Sequence, residues 1–178
     1  KMRLGWDEGS LNAPELARRA EQAGIAMVTV HGRTRCQFYG GKANWRAIAQ
    51  VREVISIPLV ANGDGQSADD AAAMLKASGA DAVMIGRGAY GRPWWPGVIA
   101  NRLDPGTGID EPSLEMENHM VRAHHAAIID FHGEHHGNRI ARKHIGWAIT
   151  RLAERQLLTG EEASQWRVSL LRTNDNVA

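Results

Sequence analysis

The sequence predicts an α/β domain followed by an all-α domain, namely the second half of a (β/α)8 TIM barrel and then a small helical bundle. Residues 1–103 alternate between short β-rich runs and amphipathic helices, which is the pattern of a parallel sheet with crossover helices. Strand signals then stop, and three amphipathic helices follow with short connections. We therefore predict a half-barrel over 1–103, a linker over 104–112 that begins with a Pro- and Gly-containing stretch, and a helical domain over 113–178.

The first part contains four successive strand–helix units. Strands are predicted at 2–4, 27–30, 57–61 and 82–85, and helices at about 13–23, 45–54 and 67–78. Ser67 followed by Asp70 resembles a capping box with a shorter acid. The near-continuous apolar character of 82–85 predicts a parallel strand buried on both faces. Four such units fit half of a (β/α)8 barrel or a small doubly wound sheet, and the pattern alone leaves both open.

The second part contains helices near 113–132, 138–155 and 160–172, with Gly133 and Gly137 predicted to bracket a turn. One face of the middle helix is basic and lies opposite its apolar stripe. The residues of this face are Arg139, Arg142, Lys143 and Gly146, and Arg151 and Arg155 are predicted to extend its positive character. An ordinary solvated face is the alternative to a phosphate-binding one.

Composition limits the class of protein. The chain is 43% hydrophobic and 23% charged, which is typical of a soluble globular protein, and its apolar runs are too short to cross a bilayer. Cys36 is the single cysteine, which excludes an internal disulfide framework and favours a cytoplasmic location. The net charge of +1 means that any affinity for nucleic acid must come from a local patch. Because the chain opens at Lys1 within a predicted strand, we expect it to be a piece of a longer protein.

Polar residues follow three of the predicted strands, at 31–34, 62–65 and 86–88. In parallel α/β folds, ligands bind beyond the carboxyl ends of the strands. Gly86 and Arg87, with nearby backbone N–H groups and a predicted helix start, therefore indicate an anion site. Plain turn chemistry is the alternative for any one of these segments. The seven histidines between 119 and 144 lack carboxylates or cysteines at ligand spacing, so we predict no metal site.

Taken together, several segments resemble the tRNA-dihydrouridine synthase family, and the bacterial nitrogen-regulation-locus branch most closely. The segments are Lys-Met-Arg-Leu-Gly-Trp at 1–6, His-Gly-Arg-Thr at 31–34, Ala-Asn-Gly-Asp at 61–64, Met-Ile-Gly-Arg-Gly at 84–88 and Ile-Ala-Arg-Lys-His at 140–144. Their order and spacing match the C-terminal portion of the family's chain, from the second half of the barrel to the helical domain.

The resemblance implies an FMN enzyme that reduces the C5–C6 bond of uridine in tRNA, with NADPH as the reductant of the flavin. It implies that Lys1 contacts the N1–C2 carbonyl region of the flavin and that His31 faces the isoalloxazine ring. It further implies that the ribityl phosphate is held by Asn62, Gly63, Asp64, Gly86 and Arg87, and that tRNA contacts Arg139, Arg142 and Lys143.

The chain also departs from the family pattern. The family's catalytic acid is a cysteine in an Asn-Cys-Gly-Cys-Pro-like loop, which this sequence lacks, and Cys36 is not assigned that role. We therefore predict no catalytic residue here and no activity of this chain alone. Asn44 stands where the family usually has an aspartate. A half-barrel exposes two sheet edges, so we expect either dimerisation through them or a rearranged or disordered N-terminus.

Two other functions remain open. One is a different phosphate-binding or FMN-binding barrel, such as a dihydroorotate-dehydrogenase-like flavoprotein or a sugar-phosphate isomerase. The other is a stand-alone RNA-binding module without catalysis.

Overall fold

The computed structural model describes residues 1–172 and contains one four-stranded parallel sheet, with strands in the order β1-β2-β3-β4. The strands are β1 (Met2–Arg3), β2 (Val28–His31), β3 (Leu59–Asn62) and β4 (Ala82–Met84). The helices are α1 (Ala13–Gln22), α2 (Trp45–Arg52), α3 (Ala68–Ser78), α4 (Trp95–Leu103), α5 (Leu114–His132), α6 (Glu134–Glu154) and α7 (Gly160–Arg172). The predicted α/β class is confirmed, and completion of the sheet into a barrel stays a prediction.

The two central strands are the buried ones. Val28 and Val30 of β2 and Leu59 of β3 are almost fully enclosed, as short apolar runs covered on both faces should be. The prediction that 82–85 is buried on both faces is wrong, because β4 pairs only with β3 and leaves Ala82 and Met84 exposed. A strand at the edge of a sheet lacks the second neighbour that would cover it.

Helix starts follow the local sequence. Ser67 and Asp70 form the predicted capping box at the start of α3, each accepting a hydrogen bond from the other's backbone N–H. Asn44 caps α2 by accepting from the backbone N–H of Ala47 at 3.0 Å. Asparagine caps as well as aspartate, so the substitution at this position keeps the cap while removing a charge.

One apolar core joins the sheet to the helices that follow its strands. Its most enclosed side chains come from α1, α2 and α3 on one side and from β2 and β3 on the other. They are Ala17, Val30, Ile48, Val51, Leu59, Ala61 and Met74. The core therefore fixes the two central strands, and with them the residues at their carboxyl ends.

The chain divides into two compact units. The first comprises Lys1–Gly88 and Arg102–Pro105, and the second comprises Ala89–Asn101 and the described residues from Gly106 onward. Residues 89–101 thus group with the helices, whereas the sequence analysis placed residues up to 103 with the barrel. The domain boundaries stay a prediction.

In the second unit, α6 packs against both α5 and α7. Gly133 ends α5 with φ +74, but Gly137 lies inside α6, so the prediction that both glycines bracket one turn is wrong. A Cβ at Gly137 would lie 2.9 Å from the Cα of Ile129 on α5. Gly137 therefore serves the close approach of two helices. His135 and His136, also predicted to lie in that turn, belong to the first turn of α6.

Along residues 1–172, no helix combines the length and apolar character needed to span a bilayer. Nor does this stretch hold any group of three or more histidine, cysteine or acidic side chains arranged to bind a metal. The absence of a native metal site stays a prediction.

Candidate functional site

The carboxyl end of the sheet brings several of the predicted cofactor residues together. His31 and Asn62 are partners in the parallel register of β2 and β3. The Asn62 side chain accepts a hydrogen bond from Nζ of Lys1 at 2.8 Å and donates one to the carbonyl oxygen of Met84 at 2.8 Å. Asn62 therefore links the first residue of the chain to the edge strand, and Lys1, His31 and Asn62 form one cluster.

Cations surround His31. Its pKa is lowered to about 4 by burial and then by the charges of Arg3, Lys1 and Arg33. Nη1 of Arg33 lies 3.4 Å from Nε2 of His31. Burial and the charge of Arg3 likewise lower the pKa of the Lys1 ammonium. At neutral pH, His31 is consequently a neutral imidazole beside positive groups, an arrangement that favours an electron-rich ligand.

We expect NMR titration of the His31 ring to give a midpoint near pH 4, and His31→Gln to identify its resonances. The folded pKa lies below the unfolded value of about 6.5, so between these values the unfolded chain binds more protons. Stability from this residue is therefore fully present above pH 6.5 and is lost as pH falls through about 4. As pH falls from 6.5 to 4, the free energy of unfolding should therefore decrease less in His31→Gln than in the unchanged chain. A midpoint near 6.5 would contradict the prediction.

Gly63 and Asp64 form a tight turn directly after β3. Gly63 has φ +128, and a Cβ there would lie 2.6 Å from Cβ of Ala43 and 2.9 Å from Cδ2 of His31. Asp64 adopts φ +59, a conformation that few non-glycine residues take. Nε1 of Trp45 donates to the carbonyl oxygen of Gly63 at 2.7 Å. The turn is thus held from several sides, and the absence of a side chain at Gly63 lets the His31 ring lie against it.

A buried ion pair organises the loops of this site. Arg33, which is 2% exposed, donates to both carboxylate oxygens of Asp64 at 2.8 and 2.7 Å. The same guanidinium donates to the carbonyl oxygens of Gly40 and Gly41, and Asp64 also accepts from the N–H of Ala43. Burial opposes ionisation of Asp64, but the hydrogen bonds from Arg33 and Ala43 and the nearby arginine charges together lower its pKa. Asp64 therefore holds the 40–43 loop against the sheet.

Arg33 was not among the predicted site residues, although it lies within the 31–34 segment. A signal was present, since an arginine follows one buried strand and an aspartate occupies the matching place after the next. Because the carboxyl ends of adjacent parallel strands lie together, the Arg33–Asp64 ion pair could have been predicted from the sequence.

The predicted anion site has an open backbone and a half-exposed arginine. A Cβ at Gly86 would meet no protein atom within 4 Å. The Arg87 side chain is 52% exposed, and its Nη2 lies 3.5 Å from the Asp64 carboxylate. The predicted helix start is only a 3-10 turn over Arg87–Ala89, because α4 begins at Trp95. The centre of the Tyr39 ring also lies 4.7 Å from the Arg87 guanidinium carbon. Space beside Gly86 and the remaining exposed part of Arg87 are the features that an anion could use.

Helix α6 presents fewer free cations than its sequence predicts. Arg139 and Lys143 are exposed and Arg142 is half-buried, whereas Gly146 is buried. The prediction that Gly146 shares the exposed face is wrong, because a Cβ there would lie 3.5 Å from a Leu171 methyl of α7.

The predicted extension of this positive face by Arg151 and Arg155 is also wrong. Arg151 pairs with Glu154 at 2.8 Å, and Arg155 pairs with the buried Glu117 of α5 at 2.6 Å. Both charges are therefore matched within the second unit.

The second unit also contains a partly open cavity of about 460 Å³, which was not predicted from the sequence. Its walls are mostly apolar and include Trp95, Leu114, Val121 and Leu158, with the Glu117–Arg155 pair at its side.

Known proteins similar to this chain cover most of its length, including the residues of the candidate site. The family described as "Dihydrouridine synthase (Dus)" matches residues 1–175. A "Probable tRNA-dihydrouridine synthase" of Rhizobium leguminosarum bv. phaseoli is 56% identical over 153 residues, covering 86% of this chain and 46% of the relative. One of Rickettsia bellii is 52% identical, covering 83% and 45%. The "tRNA-dihydrouridine synthase B" of Xanthomonas axonopodis pv. citri is 48% identical, covering 83% and 44%. The chain spans about half the length of these curated relatives.

Proposed function

The chain belongs to the dihydrouridine synthase family, and we propose that it is the C-terminal portion of a flavin-dependent tRNA-dihydrouridine synthase. The single observation that carries the proposal is the family match over 1–175, which includes the Lys1–Asn62–His31 cluster. The relatives' printed names favour this function over another phosphate-binding barrel. The proposed parent protein acts in the cytoplasm, with FMN as cofactor and NADPH as reductant.

The residues at the carboxyl end of the sheet fit FMN. Gly86 leaves its backbone open where a Cβ would point into free space, and Arg87 offers a half-exposed guanidinium beside it. A guanidinium binds a phosphate through charge-assisted hydrogen bonds. In this proposal, Arg87 and the backbone at Gly63 and Gly86 hold the ribityl phosphate. Asp64 contributes by holding the 40–43 loop through Arg33 and the N–H of Ala43.

Lys1 and His31 act at the ring end of the proposed site. FMN, when bound, supplies the hydride for the uridine double bond, and the protein tunes the electronics of the ring through charge placed near N1 and C2. The Lys1 ammonium, oriented by Asn62 at 2.8 Å, is the group that places positive charge there. His31, neutral at pH 7, faces the ring without adding a second charge.

This chain alone is proposed to form no dihydrouridine. Cys36 is exposed, in the loop after β2, and the structure assigns it no link to the Lys1–Asn62–His31 cluster. The catalytic acid is proposed to lie in a part of the parent protein outside this sequence.

The open sheet is proposed to be completed by other strands, either from the rest of the barrel or from a second copy. β1 and β4 are the edge strands, and the exposure of Ala82 and Met84 on β4 supports a missing neighbour.

The RNA part of the proposal is tested on α6. Arg139 and Lys143 are exposed on the helix, and α6 carries no acidic residue between 135 and 153. We expect the double variant Arg139→Ala/Lys143→Ala to weaken binding of unmodified tRNA and to lower the slope of log affinity against log salt by about one to two units. Filter binding from low to moderate salt measures both quantities.

The matched control is Arg18→Ala/Lys76→Ala, which removes two exposed charges from α1 and α3. It should leave the salt slope nearly unchanged. If the double variant keeps the unchanged chain's affinity and slope, α6 is a packing helix and the proposed tRNA contact is wrong. Arg142 is half-buried, and replacing it as well tests whether it adds to the contact.

A further inference from the structure

Two aromatic rings and an arginine form an exposed cluster at the carboxyl end of the sheet. The Arg35 guanidinium carbon lies 4.1 Å from the centre of the Phe38 ring and 5.9 Å from that of Trp6. Trp6 is 64% exposed and Phe38 is 54% exposed. We call Trp6, Arg35 and Phe38 the aromatic platform. Side chains of this size normally bury most of their surface, whereas both rings are open to a ligand in this chain.

The backbone beneath the platform is held firmly. Arg35 and Cys36 donate their N–H groups to the carbonyl oxygens of Gly5 and Trp6 at 2.9 and 2.8 Å. These bonds join the segment after β1 to the segment after β2. Trp6 and Arg35 are therefore fixed side by side by main-chain pairing.

Buried and half-buried arginines fix the far side of the same loop. Nη1 of Arg3 donates to the carbonyl oxygens of Thr34 and Phe38 at 2.7 and 2.9 Å. Arg33 binds the carbonyl oxygens of Gly40 and Gly41. The side chains of Arg3 and Arg33 therefore hold the backbone of the loop that carries Phe38 in one position.

Phe38 itself adopts a strained backbone conformation. Its φ is +49, in the left-handed region that bulky residues avoid. A glycine or asparagine would occupy this place with less strain. An exposed cation–π contact is weak, so the contact with Arg35 alone does not explain why a large ring is kept there. A ligand that uses the ring does explain it.

We infer that the aromatic platform stacks unpaired bases of RNA. Every base has a π-face, and exposed aromatic rings beside arginine are the usual means of holding single-stranded nucleic acid without reading its sequence. Two cations adjoin the platform, because Arg35 is part of it and Arg3 donates to the carbonyl oxygen of Phe38, while Asp7 and Glu8 are the acidic residues that follow Trp6. The inference rests on the proposed function and adds a second RNA contact, distinct from α6.

The test measures binding of this chain to a fluorescein-labelled eight-nucleotide oligouridylate and, in parallel, to intact unmodified tRNA. We expect Trp6→Leu and Phe38→Leu each to weaken oligouridylate binding by about tenfold, the loss of one base–aromatic stack. The salt slope should not change, because neither variant removes a charge. Trp166→Leu, which removes a 50% exposed tryptophan from α7, is the matched control and should bind like the unchanged chain.

Phe38→Gly separates a structural role from a binding role. Because the backbone is strained for phenylalanine, glycine should preserve or raise the thermal midpoint while still weakening oligouridylate binding. If Phe38 only supports the fold, glycine should lower the midpoint, and that result would overturn the inference.

The measurements distinguish failure of the aromatic platform from failure of the proposed function. Oligouridylate binding that is unchanged in Trp6→Leu and Phe38→Leu, with tRNA still bound, overturns the platform and leaves the proposed function standing. If the unchanged chain binds tRNA but not oligouridylate, the platform is likewise overturned and the proposed function still stands. Failure to bind either RNA counts against both the platform and the proposed tRNA contact.

Discussion

Replacing Asp64 with alanine is expected to destabilise the sheet-containing unit by about 3–5 kcal/mol, the usual cost of leaving a buried charge unpaired. Arg33 is the charge in question, with a side chain that is 2% exposed and both terminal nitrogens on the Asp64 carboxylate. The variant also removes the acceptor for the N–H of Ala43. Loss of the pair should therefore loosen the 40–43 loop together with the turn after β3.

Hydrogen exchange of the Val30 and Ala61 amides measures this effect within the first unit, which a whole-chain melt would mix with the second. Glu15→Ala is the matched control, because Glu15 and Arg19 form an exposed i,i+4 pair at 2.5 Å. Pairs of that kind contribute about 0.3–0.5 kcal/mol. A cost for Asp64→Ala as small as that of Glu15→Ala would show that Arg33 is solvated or paired elsewhere.

The same pair has a pH signature. The pKa of Asp64 is lowered in the folded chain, so the unfolded carboxylate takes up a proton first as pH falls. Stability from this group is present above the unfolded value of about 3.9 and is lost as pH falls through the lower folded value. Asp64→Ala should therefore show a shallower loss of stability than the unchanged chain below about pH 4.

Local patterns predicted the elements that depend on neighbours in sequence. The apolar runs at β2 and β3, the capping box at Ser67 and the helices α5 to α7 follow from residues a few positions apart. The exposure of β4 depends instead on which strand lacks a second neighbour, and a parallel sheet gives no local sign of this. Its apolar character fits a central strand and an edge strand of a larger sheet equally well.

Site residues divide in the same way. Polar residues after each strand indicated where ligands could bind, and the structure brings Lys1, His31 and Asn62 together there. Helical periodicity could not predict which acidic side chain pairs with each arginine of the helical unit. Arg155 directly follows the last residue of α6, where a solvated cation fits the pattern, yet it binds Glu117, which is 38 residues earlier on α5. Periodicity describes one helix, whereas such pairing depends on the helix packed against it.

Replacing Arg87 with alanine in the longer parent protein is expected to cost FMN binding about 1.5–3 kcal/mol, the contribution of one charge-assisted contact to phosphate. That corresponds to a loss of roughly tenfold to more than a hundredfold in flavin affinity. Arg87 is suited to the contact because its side chain is 52% exposed and stands beside the open backbone of Gly86. Its 3.5 Å contact with Asp64 is long and partly solvated, so losing it should cost little stability.

Flavin retained through gel filtration, followed by absorbance, measures the effect, and tRNA binding is measured on the same preparation. Arg87→Lys should recover part of the affinity, since it keeps the charge but lacks the planar, bidentate geometry of a guanidinium. Arg18→Ala removes an exposed arginine from α1 and should retain flavin fully. Because the prediction assigns Arg87 to the cofactor phosphate, tRNA affinity should change much less than flavin affinity. If Arg87→Ala retains as much flavin as Arg18→Ala does, the ribityl phosphate is held elsewhere and the assignment of Gly86 and Arg87 is wrong.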